Sequence, residues 1–292
     1  WRKKESLRRT YLKRPDLLET YPMTKEDEKL LKEQFKDIPD GKAIIGVSGG
    51  KDSTIAAALC VEALGADRVI GVLMPQGTQK DINDSKEVCK YLGIYHMEIN
   101  IGSICSNLCS LIDMEYDFDK CCINNPMIKT NLPARIRMTT LYAIAALYSN
   151  SRVVNTCNAS EDYVGYSTKY GDAAGDFSPL GNLTVREVLE IGDDLGLPAH
   201  LVHKAPSDGM CGKTDEDNLG FTYEQLDNYI EGNVYGIPDA AVDKIERLHK
   251  ATRHKYQPIP TYNPALEYIK NFIEKVNYEQ LSIDDYITRG EN

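Results

Sequence analysis

The 292-residue sequence has no apolar run long enough to cross a membrane. A spanning helix needs about 18 or more consecutive apolar residues, and no stretch of this chain approaches that length. The Arg/Lys-rich N-terminal stretch has no apolar segment behind it, so we expect neither a membrane span nor a secretory signal. We therefore expect a cytoplasmic protein with no membrane partner.

The chain also lacks the excess of positive charge that nucleic-acid-binding proteins use. Its formal net charge is −10, which disfavours a polyanionic partner. The exception is the stretch from Trp1 to Arg14, which has a net charge of +6 and leaves −16 for the rest. We interpret residues 1–23 as a solvated, partly ordered basic arm that can lie on an acidic surface of its own fold. A contact with nucleic acid or another partner is the alternative reading of the arm.

Cysteine motifs that hold metals are missing. The chain has eight cysteines but no C-x-x-C pair, and no histidine lies between residues 97 and 199. This spacing argues against a thiolate metal centre. Without a secretory signal we expect reduced thiols, with Cys60 and Cys89 serving as small core residues on the apolar faces of helices.

Short apolar runs alternate with longer helical patterns over much of the chain. The runs predict strands over residues 43–47, 68–74, 94–99 and 152–156. The longer patterns predict helices from Thr24, from the end of the first strand to Gly65, and over 81–92, 127–148, 184–195, 222–231, 239–251 and 264–275. This alternation predicts an α/β fold with a doubly wound, mostly parallel sheet, helices on both faces and extra C-terminal helices. We expect one domain over residues 24–292.

In such a sheet, ligands bind beyond the carboxyl ends of the strands. Three candidate segments follow predicted strands: Ser48 onward, Pro75-Gln76 and Thr156-Cys157. We therefore expect these segments to meet at one edge of the sheet and to form the site. The stretches 162–183 and 204–220 have little periodicity, and we expect a binding loop and a mobile lid there.

The segment Ser48-Gly49-Gly50-Lys51-Asp52-Ser53 describes a phosphate-binding loop between a strand and a helix. Its glycines allow the backbone to approach an anion, and the following helix offers free N–H groups and the positive end of its dipole. A Walker A loop would need glycine at position 45 and Ser or Thr after Lys51, but the chain has Ile45 and Asp52 there. The pattern resembles the pyrophosphate loop of N-type ATP pyrophosphatases, which split ATP into AMP and pyrophosphate.

Two carboxylates are candidates for holding Mg²⁺ beside the phosphates. Asp52 lies in the loop, and Glu161 follows the fourth predicted strand. Carboxylate oxygens suit Mg²⁺, a hard ion that shares phosphate oxygens. On its own, Glu161 could equally be a solvated carboxylate at a helix start.

Four further segments extend the resemblance. They are Asn131 to Met138, Asn155 to Glu161, Gly165 to Asp176, and Pro206-Ser207 with Thr214 to Glu216. Together with the loop they resemble ammonia-dependent NAD⁺ synthetase over roughly residues 25–260. The run Thr168-Lys169-Tyr170-Gly171-Asp172 with the later Asp176 is more specific than the loop, which several pyrophosphatase families share. The implied fold is the Rossmann-like fold of ATP pyrophosphatases.

The resemblance implies a role for each matching residue. ATP would be bound by Gly46, Val47, Ser48, Gly49, Gly50, Lys51, Asp52, Ser53, Thr156 and Ser207. Deamido-NAD⁺ would be bound by Arg135, Lys169, Asp176, His254 and Lys255. Mg²⁺ would be held by Asp52 and Glu161, and the catalytic residues would be Lys51, Asp52 and Asp176.

The implied reaction is the amidation of deamido-NAD⁺ by ammonia, driven by ATP through an acyl-adenylate, with release of NAD⁺, AMP and pyrophosphate. The family acts as a homodimer, which we expect here. A glutamine-using version would need an amidase domain of about 200 residues or more, and only about 40 residues precede the first strand. We therefore expect ammonia as the direct nitrogen source, free or delivered by a separate subunit.

One departure from the family pattern concerns an ATP-contacting lysine that normally follows Leu-Thr. In this chain Leu183-Thr184 is followed by Val185, and Arg186 comes next. Either Arg186 substitutes for the lysine or that contact is missing.

Two other functions remain to be weighed. A tRNA-thiolating enzyme could use the same loop, but the versions with an iron–sulfur cluster need C-x-x-C pairs, and a body of charge −16 lacks a basic RNA face. A non-catalytic nucleotide sensor could keep the glycines, but it would have no use for both Asp52 and Glu161.

Overall fold

The structure is a computed structural model that describes residues 36, 40–79, 82–115, 122, 125–204, 215–260 and 275. The basic arm, the helix predicted from Thr24, Ser207 and nearly all of the predicted helix 264–275 lie outside the described residues. The chain divides into two compact units, Trp1–Tyr256 and Gln257–Asn292, and the elements named below belong to the first. The single-domain assignment for residues 24–292 stays a prediction.

Four parallel strands form the sheet at the centre of the first unit. They are β1 (Ala43–Gly46), β2 (Val69–Leu73), β3 (Tyr95–Glu98) and β4 (Arg152–Val153), in the order β3-β2-β1-β4. The register pairs Ala43 with Val69 on one side and with Arg152 on the other. The chain therefore winds outward from β1 to β3 and then returns to the other side of β1. This reversal creates a crevice at the carboxyl ends of β1 and β4, where doubly wound sheets bind their ligands.

Helices surround this sheet and continue beyond it. They are α1 (Lys51–Leu64), α2 (Ile82–Tyr91), α3 (Gly102–Glu115), α4 (Pro126–Ala145), α5 (Ala159–Val164), α6 (Val185–Asp194), α7 (Ala199–Val202), α8 (Asp215–Leu219), α9 (Tyr223–Ile230) and α10 (Asp239–Thr252). Short 3₁₀ turns cover Ala66–Arg68 and Arg253–Lys255. The predicted α/β class with helices on both faces is confirmed. Among the described residues, no helix is both long and apolar enough to cross a membrane.

Successive residues of β1 face opposite sides of the sheet, so one strand contributes to two cores. Ile45 packs with α1, α2, α6 and α7, including Ile55, Leu59, Val88, Val188 and Leu201. Ile44 packs on the other face with residues of β2, α3 and α4, including Ile70, Val72, Cys105 and Ile144. Both isoleucines are fully buried. This burial on both faces is typical of a parallel sheet covered by helices.

A third cluster joins the helices of the C-terminal half of this unit. It contains Val164, Val185, Leu219, Phe221, Tyr223, Leu226, Ala241 and Ile245, so α5, α6, α8, α9 and α10 share one small core. This cluster fixes α5, and with it Glu161, against α9.

Three predictions from the sequence need correction. The helix α3 is absent from the expected elements because most of its apolar residues do not face a core: Ile104, Leu111 and Met114 are exposed, and only Cys105 is buried. The stretch 204–220 was expected to be irregular, but it contains α8, whose first turn carries acidic residues that favour a helix N-terminus. The fourth strand is shorter than expected, and Val154 continues it only as an isolated bridge to Phe177.

Cysteines in the described ranges are all free thiols. Burial raises the pKa of Cys60 to about 12 and that of Cys89 to about 11. Both therefore behave as the small core residues expected from the sequence. No group of three or more metal-ligating side chains is found within the described residues.

Candidate active site

The phosphate loop connects β1 to the N-terminus of α1. Gly50 is the N-cap of α1, and among the described residues no side chain caps this helix. By contrast, α5, α6 and α9 all begin with complete capping boxes. The amides of the first turn of α1 are therefore left for an anion, as expected for a phosphate site.

Hydrogen bonds within the loop fix its shape. The Ser53 hydroxyl accepts a hydrogen bond from the Ser48 amide at 3.2 Å and donates to the Gly50 carbonyl at 3.1 Å. Gly49 has φ of +78°, and a Cβ at this position would lie 2.9 Å from the Ser85 amide nitrogen. Glycine is thus required at 49 both by conformation and by the contact with α2.

A cleft of about 230 Å³ lies over this loop at the point where the strand order reverses. It is lined by Ser48, Gly50, Asp52, Ser53, Thr156, Cys157, Glu161, Tyr166 and Asp172. The structure therefore brings the loop, Thr156 and both predicted metal ligands to one place. Of the other predicted ATP residues, Gly46 lies in β1, and Val47 is buried in the core beside it.

Asp52 and Glu161 face the same cleft from α1 and α5. Asp52 accepts a hydrogen bond from Lys51 Nζ at 2.8 Å through Oδ2 and one from Asn158 Nδ2 at 3.0 Å through Oδ1. Burial and the negative charge of Asp52 raise the pKa of Glu161 well above its ordinary value. Two carboxylates that repel each other in a partly buried cleft suit a divalent cation, with phosphate oxygens and waters completing its shell.

Lys51 is held between a carboxylate and an aromatic ring. Its side chain is almost fully buried, and its Nζ lies 5.5 Å from the centroid of the Tyr223 ring. Burial lowers the pKa of Lys51, but the negative charges of Asp52 and Glu161 outweigh burial and raise it. Lys51 therefore remains a cation beside the phosphate loop.

The basic residues predicted to bind the dinucleotide lie together but outside the cleft lining. Lys169 Nζ donates to the His254 carbonyl at 2.8 Å, and Arg135 Nε donates to the Lys169 carbonyl at 3.3 Å. Lys255 Nζ donates to the carbonyls of Gly165 and Ser167, both at 2.7 Å. This set joins α4, the loop after α5 and the 3₁₀ turn after α10 into one basic surface.

Asp176 has structural partners. Its Oδ2 accepts the Val153 amide at 2.7 Å, and its Oδ1 accepts the Tyr142 hydroxyl at 3.2 Å. Asp176 therefore ties its loop to β4 and α4, and it does not line the cleft over the phosphate loop. Its assigned role toward the dinucleotide stays a prediction.

Arg186 does not line the cleft over the phosphate loop. Its guanidinium donates to Asn228 at 2.8 Å and to Glu231 at 3.2 Å, both in the direction of α9. Val185, the position where the resemblance leads us to expect a lysine, is buried, and its amide donates to the Ser160 hydroxyl at 3.0 Å. In this arrangement the Arg186 guanidinium is engaged by Asn228 and Glu231.

Reasoning from the sequence missed several residues of the site. Asn158 caps α5 and contacts Asp52, and Tyr223 supports Lys51. The spacing of Asn158 and Glu161 is a capping box, a signal in the sequence that could have identified Asn158. The sequence gives no such signal for Tyr223, because the residue it contacts, Lys51, is distant in the chain.

The fold and cleft define a nucleotide-binding α/β protein with a phosphate loop that is not of the Walker type. A family model described as NAD synthase matches residues 23–259. The chain therefore belongs to the NAD synthase family.

Individual relatives agree with the family match. The NH(3)-dependent NAD(+) synthetase of Alkaliphilus metalliredigens is 39% identical over 240 residues, which cover 79% of this chain and 94% of the relative. Among solved structures, the NMN synthetase of Francisella tularensis has a TM-score of 0.74 at 33% identity, covering 82% of this chain and 97% of that one. The NH3-dependent NAD synthetase of Campylobacter jejuni has a TM-score of 0.65 at 26% identity, again over 82% of this chain and 97% of that one.

Proposed function

We propose that this chain catalyses the ATP-dependent amidation of deamido-NAD⁺ by ammonia, giving NAD⁺, AMP and pyrophosphate. The observation that carries the proposal is the meeting of the phosphate loop with Asp52 and Glu161 in one cleft at the switch point of the sheet. Membership of the NAD synthase family and the names of the relatives support the choice of acceptor.

The chemistry requires the nicotinate carboxylate to be activated before ammonia attacks it. The carboxylate oxygen attacks the α-phosphorus of ATP, the bond to the pyrophosphate breaks, and an acyl-adenylate forms. Ammonia then attacks the acyl carbon, the bond to AMP breaks, and the attacking nitrogen loses a proton to give the amide. The chain contributes orientation and charge neutralisation: the amides of α1 and Lys51 hold the phosphates, together with Thr156 and Ser207. The basic surface of Arg135, Lys169, His254 and Lys255 holds the dinucleotide together with Asp176.

Asp52 and Glu161 are the proposed ligands of Mg²⁺. When bound, this ion neutralises phosphate charge and orients the pyrophosphate leaving group. In this structure Asp52 is paired with Lys51 at 2.8 Å. A cation held by Asp52 and Glu161 would compete with Lys51 for the Asp52 carboxylate, and the Lys51 ammonium would then be available to a phosphate oxygen.

Nicotinate mononucleotide is a second candidate acceptor. The observation in its favour is the likeness to the structure named NMN synthetase, at 33% identity and a TM-score of 0.74. Both acceptors carry the same nicotinate carboxylate, so the activation chemistry is identical. They differ in the adenylyl part that only the dinucleotide has.

The deciding experiment incubates the purified protein with ATP, Mg²⁺ and ammonium, and with either deamido-NAD⁺ or nicotinate mononucleotide. We expect pyrophosphate release and NAD⁺ formation with the dinucleotide, and a much lower kcat/KM with the mononucleotide. The reverse ratio would establish the second candidate. ATP binding without pyrophosphate release in either arm would instead favour a nucleotide sensor.

Two controls accompany this assay. Asp52→Asn should abolish turnover with the far-UV circular dichroism spectrum unchanged, and retained activity would overturn the metal assignment. Glutamine replacing ammonium should give little product, and comparable rates with glutamine alone would contradict ammonia as the direct substrate.

We further propose that the protein acts as a homodimer in the cytoplasm. The apolar face of α3, with Leu111 and Met114 exposed at 61% and 80%, supports the dimer because a surface of this kind is typical of an interface. The free thiols in the described ranges support the proposed location, because cysteines remain reduced in a reducing compartment.

A further inference from the structure

Tyr223 is the first residue of α9, and its ring lies against the phosphate loop's lysine. The side chain is only 5% exposed, and Lys51 Nζ lies 5.5 Å from its ring centroid. An ammonium at this distance over an aromatic face is attracted by the ring's quadrupole. The position of Tyr223 is fixed at the backbone as well, because its amide donates to Glu216 Oε1 at 2.8 Å.

The Tyr223 hydroxyl is buried and, within the described ranges, has no hydrogen-bond partner. An unpaired buried hydroxyl lowers stability, so native structures rarely keep one without a use. Tyr229 on the same helix shows the ordinary case, since its hydroxyl donates to Glu246 Oε1 at 2.8 Å.

This hydroxyl can act as a donor, because a tyrosine has an ordinary pKa of about 10 and is protonated at neutral pH. Burial raises the pKa of Tyr223 further. The hydroxyl therefore stays protonated while the cleft is in use. Tyr223 does not itself line the cleft, but its ring contacts Lys51, and the phosphate oxygen that Lys51 is proposed to bind is the acceptor available to the hydroxyl.

We propose that Tyr223 is a binding residue for the polyphosphate of ATP, holding the Lys51 ammonium on its ring and donating its hydroxyl to a phosphate oxygen. The assignment rests on the proposed use of ATP by the same cleft. The hydroxyl is covered in this structure, so the Tyr223 side chain must become accessible when ATP binds.

The test compares wild type with Tyr223→Phe, which keeps the ring and removes only the hydroxyl. We expect the Kd for ATP, measured by calorimetry without acceptor, to rise about 10- to 100-fold, as for loss of a hydrogen bond to a charged group. The rise should occur both with Mg²⁺ and in EDTA. The Tm of the variant measured without nucleotide should stay unchanged or rise by about 2–4 °C, because an unpaired polar group has been removed.

The matched control is Tyr229→Phe, which should lower Tm and leave the Kd for ATP unchanged. Unchanged ATP binding by Tyr223→Phe would overturn the assignment, and so would a lowered Tm, which would show that the hydroxyl already has a partner. A loss of ATP affinity seen with Mg²⁺ but not in EDTA would also overturn the assignment, because the acceptor would then be a metal-bound water. Failure of the wild type itself to bind ATP would contradict the proposed function instead.

Discussion

At the scale of single residues, Asn158 shows how one side chain can serve both the fold and the site. It is fully buried, its Oδ1 accepts the Glu161 amide at 3.0 Å, and its Nδ2 donates to Asp52 Oδ1 at 3.0 Å. The first contact caps α5, and the second orients a proposed metal ligand. The two roles can be separated because serine also caps helices but is too short to reach Asp52.

We expect Asn158→Ser to lower kcat and to weaken Mg²⁺ activation while leaving stability close to wild type. Asn158→Ala should show the same kinetic defect and in addition lose about 1 kcal/mol of unfolding free energy with the cap. Steady-state kinetics at varied Mg²⁺ and urea unfolding of both variants provide the measurements. Equal activity of Asn158→Ser and wild type would mean that the contact with Asp52 is dispensable.

At the scale of secondary-structure elements, the phosphate loop is held in place by its packing against α2. Gly49 makes this contact. Gly77 provides a comparison because it also has positive φ, but a Cβ added there would meet nothing within 4 Å. Alanine at either position would therefore carry the same conformational strain, because both positions have positive φ. Only Gly49 adds a collision with the backbone of Ser85.

We expect Gly49→Ala to destabilise the protein by more than Gly77→Ala, which should cost about 1 kcal/mol. Gly49→Ala should also weaken ATP binding, since the loop must move away from α2. Urea unfolding and ATP calorimetry on the two variants measure the difference. Similar losses of unfolding free energy and of ATP affinity in the two variants would show that the loop accommodates the added methyl group.

A buried carboxylate joins three helices behind the cleft. Asp227 of α9 is 1% exposed and accepts hydrogen bonds from the Ser160 hydroxyl of α5 and from the Arg186 amide of α6, the latter at 2.9 Å. Burial raises the pKa of Asp227, outweighing the lowering by these two hydrogen bonds. The folded state therefore binds a proton at Asp227 more readily than the unfolded state does.

The sign of the pH dependence follows from this raised pKa. The contribution of Asp227 to stability is full below its unfolded pKa and is lost as pH rises through its folded pKa. We expect the difference in unfolding free energy between the wild type and Asp227→Asn to shrink, to the disadvantage of the wild type, as pH rises from about 4 upward. Urea unfolding over a pH series measures this, with the exposed Glu224→Gln on the same helix as control. An advantage that grows with pH would contradict the assigned direction.

At the scale of the whole molecule, α3 presents an unusual surface. Four exposed apolar residues lie at helical spacing along one side of this helix: Ile104, Leu108, Leu111 and Met114. A helix whose apolar stripe faces outward is typical of an element completed by a partner. In the proposed homodimer, that partner is a second copy of this chain.

We expect the wild type to sediment near twice the chain mass of 32.7 kDa. The double variant Leu111→Glu, Met114→Glu should sediment as a monomer, because two charges cannot be buried in an apolar interface. Val234→Glu, also at an exposed site, should remain a dimer. A double variant that stays dimeric would place the interface elsewhere.

Much of the local architecture could be predicted from the sequence. The four strands and the helices α1, α2, α4, α6, α9 and α10 lie within a few residues of their predicted bounds, because apolar periodicity and capping residues are local signals. The short helices α5, α7 and α8 were not predicted, since four to six residues carry too little periodicity.

The sequence by itself determined the phosphate loop and the strand-and-helix alternation, because each depends on residue types at short spacing. Only the tertiary structure decided which distant side chains meet. Asn158 reaches Asp52 across 106 positions of the chain, Tyr223 lies under Lys51, and Arg186 pairs with Glu231. Such contacts depend on how the helices pack around the sheet, and no local pattern encodes them.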